Sequence, residues 1–103
     1  ASWQSLNVSD IFQILKPQFS LMGAFPNPFN SSTSIKFNVF SSGKYFIKAY
    51  TLNGSFTETL FEGALEPGSH DFQWVVKNKP SGIYLIKMES KIAKEVKKVL
   101  HLK

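Results

Sequence analysis

Residues 25–39 read FPNPFNSSTSIKFNV, and this stretch decides the fold. Its first six residues, Phe25-Pro26-Asn27-Pro28-Phe29-Asn30, fit neither a helix nor a central strand, because two prolines fix φ and remove two backbone donors. Asn27 and Asn30 suit a turn, since asparagine side chains bond their own local backbone. Ser31, Ser32 and Thr33 come next as a polar lead-in. Ile35, Phe37 and Val39 then alternate with Ser34, Lys36 and Asn38, the period of a half-buried strand. A stiff corner therefore launches a strand over 33–40.

The sequence on either side reads as more strands. Upstream, QFSLMGAF over 18–25 alternates Phe19, Leu21, Gly23 and Phe25 against Ser20, Met22 and Ala24, which predicts a short edge strand. Residues 8–15 suit a short strand or a helical turn closed by Pro17, with Trp3 and Phe12 as packing residues, and 1–17 as a whole read as a linker or the tail of an upstream region. Downstream, KYFIKAYT over 44–51 puts Tyr45, Ile47 and Ala49 on one face and Phe46, Lys48 and Tyr50 on the other. Asn53-Gly54 is the strongest hairpin signal in the chain, and 56–61 is the returning strand. Glu62 to Gly68 reads as a loop carrying Pro67-Gly68, and 69–76 as a strand with Phe72 and Trp74 inward. The strand predicted over 82–89 is apolar on both faces and therefore central. In the last segment Ile92, Ala93, Val96, Val99 and Leu100 fit helical spacing, whereas the short turns and strands before it favour a closing strand near 95–102, which is the expectation adopted. About seven short strands with regular turn signals and one inward Trp predict an all-β, Ig-like antiparallel β-sandwich over 18–103.

Composition narrows the function. A chain of 103 residues, 43% hydrophobic with ten Phe, holds one real core and is not disordered. No apolar run is long enough for a transmembrane helix, and no signal peptide opens the chain, so it is expected to be cytosolic or a piece of a longer precursor. There is no Cys, hence no disulfide and no thiolate chemistry. The net charge of +5 comes from twelve Lys without a single Arg, and it is concentrated: residues 87–103 hold six Lys against two Glu, the rest six Lys against five acids. Lack of Arg argues against nucleic-acid readout. His70 and His101 lie far apart, no metal-ligand spacing or nucleophile elbow occurs, and the acids are read as outward or on loops, Glu62 and Asp71 offering one conceivable carboxylate pair. No catalytic residue, metal or cofactor is expected. Phe46 and Tyr50 on one outward face allow a carbohydrate-binding reading, with cover by a neighbouring segment the blander one.

Four blocks then resemble one family in order. FPNPFN with its polar pair and T-x-I-x-F, the run GKYFIKAYTLNG over 43–54, the run LFEGALEPGSHDFQW over 60–74, and PSGIYLIKM over 80–88 with the finish KKVLHLK are similar to the C-terminal sorting domains of the bacterial type IX secretion system. A related Ig-like module occurs in flagellar-hook capping proteins. Thr51 and Val75 stand where the family often has Asp, a departure expected to weaken turn chemistry. The resemblance implies a non-catalytic module that directs a larger upstream cargo through the periplasm and across the outer membrane, for release or cell-surface attachment. The implied partners are the outer-membrane secretion machinery and a sortase-like peptidase. The implied recognition residues are Gly82, Ile83 and Tyr84 with the terminal strand, chiefly Lys97, Lys98 and Lys103. A Lys-rich edge strand resists unwanted pairing yet offers strand addition and electrostatic steering to a receptor. An Ig-like structural or assembly domain is the alternative, distinguished by whether the protein ends at Lys103, because a sorting domain closes its protein and an assembly domain need not. An adhesive module is a third reading.

Overall fold

The computed structural model describes residues 7, 8 and 17–103. The expectations for Trp3, Phe12 and a short element over 8–15 therefore lie outside the described residues, Val8 excepted. Seven strands succeed one another: β1 (Phe19–Phe25), β2 (Ser32–Val39), β3 (Gly43–Thr51), β4 (Phe56–Leu65), β5 (Gly68–Val75), β6 (Gly82–Glu89) and β7 (Lys94–His101). They form a three-stranded sheet in the order β1-β2-β5 and a four-stranded sheet in the order β4-β3-β6-β7. All neighbours within the sheets are antiparallel. The fold class is the expected sandwich, and β6 is central, as its two apolar faces require.

Alternation sorts the side chains between core and surface. Thr33, Ile35, Phe37 and Val39 of β2 face inward with Phe19 and Leu21 of β1 and Trp74 of β5. Tyr45, Ile47 and Ala49 of β3 meet them from the other sheet with Tyr84, Ile86 and Met88 of β6 and Val99 of β7. Trp74 is 2% exposed and sits in the core cluster with Phe37, Ile47, Tyr84 and Ile86, while Phe72 packs against that cluster half-buried.

Two segments differ from the sequence reading. β4 does not end at residue 61 but runs to Leu65, because Phe61, Gly63 and Leu65 pair with Ile47, Tyr45 and Gly43 along the full length of β3. The turn-like composition of Glu62-Gly63 is overruled by this pairing and by Phe61, whose ring lies 3.3 Å from where a Cβ on residue 63 would stand. β4 also carries two register shifts against β3, the bulges by which an edge strand discourages further pairing. The closing segment is a strand, but the residues it buries are Val99 and His101, whereas Val96 is exposed. The helical spacing of its apolar residues thus reflects an outer face that is itself partly apolar.

The hairpin forms at Asn53-Gly54 as expected, through a three-residue loop. The N–H of Gly54 donates to the Thr51 carbonyl at 2.9 Å, and the N–H of Thr51 to the Ser55 carbonyl at 2.8 Å. Gly54, at φ 93°, takes the left-handed position alone. Thr51 is no weak point: its hydroxyl accepts the N–H of Ser55 at 3.1 Å and donates to Asn53 Oδ1.

Candidate functional site

The stiff corner at residues 25–30 does more than launch β2. It lies along the open edge of β7 and occupies that strand's outward backbone groups. Leu100 N–H donates to Asn27 Oδ1 at 2.9 Å, and Phe29 N–H donates to the Leu100 carbonyl at 3.0 Å. Leu102 N–H donates to the Phe29 carbonyl at 2.8 Å, and Asn27 Nδ2 reaches the Lys98 carbonyl at 3.4 Å. Phe29 and His101 form a parallel bridge. The corner itself is fixed by the buried Thr33, whose hydroxyl donates to the Pro26 carbonyl at 2.8 Å, and by a 2.9 Å bond from Val76 N–H to the Ser31 carbonyl. Strand addition by a receptor is therefore blocked over the last part of β7, contrary to the expectation of an open edge. Strand alternation leaves the edge groups of Lys94 and Val96 beyond this cover.

Beneath the corner the family-like motifs meet in one aromatic cluster. Phe29, 3% exposed, packs its ring 5.6 Å from Trp74 and 5.0 Å from His101. Tyr84 stands edge-on to Trp74 at 6.0 Å and to His101 at 6.2 Å. The Tyr84 hydroxyl donates to the Pro80 carbonyl at 2.7 Å, and His101 Nδ1–H donates to the same oxygen at 3.2 Å. The indole N–H of Trp74 donates to Glu58 Oε1 at 2.6 Å. Sequence reasoning placed Glu58 outward, but the bulges of β4 set it opposite Ala49 on the inner face, where it satisfies the buried indole. Glu95 is a second acid with a hidden task, since its Oε1 accepts the N–H of Leu21 at 3.1 Å and ties β7 to β1.

The six residues singled out from the sequence fall into two kinds. Gly82 pairs with His101, so Gly82, Ile83 and Tyr84 adjoin the end of β7. Tyr84 is buried, which makes it a strut of the cluster, while Ile83 is 39% exposed on the outer face opposite Leu100. Lys97 and Lys98 are both exposed and point to opposite faces of β7; they line a groove of about 330 Å³ with Met22, Phe25 and Asn27. Lys103 is exposed and lies at the other end of the strand, its N–H donating to Ser81 Oγ at 2.6 Å. The structure thus gathers Gly82, Ile83, Tyr84 and Lys103 at one end, with Lys98 one row along on the face of Ile83 and Lys97 on the opposite face.

Other chemistry is accounted for within the fold. Glu62 pairs with Lys44 at 3.7 Å and Asp71 with Lys36 at 3.8 Å, on different sheets, so they form no carboxylate pair. His70 stacks on Phe37 at 5.5 Å and donates from Nε2 to the Glu66 carbonyl at 2.8 Å. Lys44 and Lys48 lie over the Phe46 ring at 5.3 and 5.2 Å, and Lys87 over that of Tyr50 at 4.9 Å, so lysine already stacks on each ring that a sugar would use. Among the described residues no group of His, Cys, Asp or Glu is placed to hold a metal, and no helix is long and apolar enough to cross a membrane.

Residues 23–101 match the family described as the secretion system C-terminal sorting domain. No curated protein and no solved structure gives a match to the chain. The matched span takes in the corner, Trp74, the Gly82-Ile83-Tyr84 run and all of β7, which are the parts joined in the aromatic cluster. Domains of this family are generally non-catalytic and mark the protein that carries them for the type IX machinery, which exports it across the outer membrane to be secreted or held at the surface. With most of its length covered by that match and its motifs assembled into one closed sandwich, the protein belongs to the family of type IX secretion C-terminal sorting domains.

Proposed function

We propose that residues 18–103 act, without catalysis of their own, as the sorting module of a larger cargo joined to it through 1–17. The cargo is carried through the periplasm and across the outer membrane, for release or for surface attachment with a sortase-like peptidase removing the module. The observation that carries this reading is β7, whose last residues are clamped by the corner at 25–30 while Lys97 and Lys98 face solvent. In this reading Gly82 and Tyr84 hold the strand in place, and Ile83, Lys97, Lys98 and Lys103 are what the machinery meets. Clamping presents the lysines in fixed positions, which lowers the ordering cost of binding.

The test replaces Lys97, Lys98 and Lys103 with Gln in a reporter fusion expressed in a host with type IX secretion. Side-chain length and strand geometry are kept, and exposed changes of this kind move stability by only about a few tenths of a kcal/mol each. The variant is expected to fold and to accumulate in the periplasm. A folded variant that reaches the surface at the parental rate removes these lysines from the signal and leaves Gly82, Ile83 and Tyr84 as its carriers.

A further inference from the structure

The outward face of an antiparallel sheet is normally polar where it meets water. The four-stranded sheet departs from this rule. Its register sets Phe56, Tyr50, Leu85 and Lys98 in one row across β4, β3, β6 and β7, with Ile83 and Leu100 side by side in the next. Phe56 is 58% exposed and Ile83 39% exposed, and the Phe56 ring stands edge-on to Tyr50 at 5.8 Å. Toward the other end of the same face the rows turn basic: Lys48 lies beside Lys87, and Lys44 and Lys94 lie beyond them. The acids there are already engaged, Glu89 with Lys48 at 3.2 Å and Lys87 at 3.8 Å, and Glu62 with Lys44. Lys87 holds its proton more tightly than usual, first through the Tyr50 side chain it lies against and then through Glu89, against the loss of solvation that opposes it. The face therefore carries five Lys against two Glu, with an apolar end and a cationic end.

We propose that this outer face, centred on Tyr50, Phe56 and Leu85, is a docking surface for a folded protein of the export machinery whose contact area is apolar at one end and rich in carboxylates at the other. The proposal rests on the sorting function above and extends the recognised surface from Ile83 and Lys98, which share this face, across it to β3 and β4. Charge complementarity selects the partner. Two copies overlapped with like ends together would set lysines against lysines, and the reversed overlap would press lysines onto Phe56, Tyr50 and Leu85, whereas a carboxylate-bearing surface would be steered in and held. Removing Phe56, Tyr50 and Leu85 from water supplies the affinity that rim charges alone do not.

The reporter fusion tests it with two matched variants. Phe56→Glu with Lys44→Glu lowers the charge of the four-stranded face, and Gln73→Glu with Lys36→Glu makes the same charge change on the three-stranded sheet. The first is expected to melt with the parent and to lose surface delivery by about tenfold or more, the second to be delivered normally, as expected when docking depends on charge and apolar contact at one face. Delivery of the first at the parental rate overturns the docking surface and leaves the sorting function standing; a parental fusion that is not exported at all overturns both. Two solution measurements on the purified domain decide between occupants. A concentration-dependent dimer abolished by Phe56→Glu, or cosedimentation with phosphatidylglycerol vesicles abolished by it, overturns the proposal in favour of a second copy or a lipid surface. Should the double variant fail to fold, the absence of native cysteine gives another route. During export, maleimide labelling of a Thr59→Cys variant is expected to fall well below that of Gln73→Cys, and equal labelling overturns the proposal.

Discussion

Single residues carry much of this fold, Trp74 among them. It joins the corner, β6 and β4 through Phe29, Tyr84 and Glu58. Trp74→Ala is expected to cost about 3–5 kcal/mol, since it leaves a large cavity and strands the Glu58 carboxylate. An unchanged denaturant midpoint would contradict this. Tyr45 gives a pH-dependent counterpart. It is 1% exposed, its hydroxyl donates to the Ser41 carbonyl at 2.6 Å, and burial raises its pKa above the ordinary 10.0. The fold therefore disfavours the phenolate, so the contribution of Tyr45 is intact below pH 10 and is lost as pH climbs through 10 toward the higher folded value. Tyr45→Phe should lower stability by about 1 kcal/mol at neutral pH, for the lost hydrogen bond. It should also fall less steeply than the parent in a series of thermal melts run above pH 9. Parallel alkaline curves for the two proteins would show that this phenol does not set the slope.

At the scale of elements, legibility tracks the range of the interaction that fixes each one. β2, β3 and β6 show clean alternation or a doubly apolar run, and both signals are local, so their positions were readable within a residue or two. The Asn53-Gly54 turn was readable for the same reason. Gly54→Val is expected to destabilise the hairpin by about 1–3 kcal/mol through backbone strain alone, because a Cβ there meets nothing within 4 Å. Equal melting temperatures would mean the loop relaxes to another turn. The far end of β4 was not readable, because Glu62-Gly63 looks like a turn until β3 is placed beside it. The inward role of Glu58 depends on two bulges, and bulges leave no mark in a period-2 pattern. For β7 the apolar residues served two faces at once, so periodicity favoured the wrong element and only the company of other strands pointed to the right one. The residues proposed for recognition were legible in part: exposed lysines can be read from a sequence and alternation turns Tyr84 inward, but the bond from its hydroxyl to the Pro80 carbonyl leaves no mark in the pattern.

Across the whole molecule, the corner and β7 form one structural unit although they lie far apart in the chain. The bond from Leu100 to Asn27 closes a sequence separation of 73 residues, and no local pattern announces it. Without the final strand, Asn27 and Phe29 of the corner lose these hydrogen-bond partners. Loss of Phe29 should then act on both ends together. Phe29→Ala removes a ring 3% exposed between Trp74 and His101, and a cost of about 3–5 kcal/mol is expected. Because the far end of β7 is held between β6 and the corner, hydrogen exchange at Leu100 and Leu102 should accelerate more than exchange at the centre of β3. In the reporter fusion this variant keeps every lysine yet is expected to be exported poorly, with β7 open to protease. The Lys→Gln variant should show the reverse pairing, a protected strand with no export. If Phe29→Ala exposes β7 to exchange and protease while export continues at the parental rate, the machinery reads the terminal segment as an unfolded peptide, and the clamp serves stability alone.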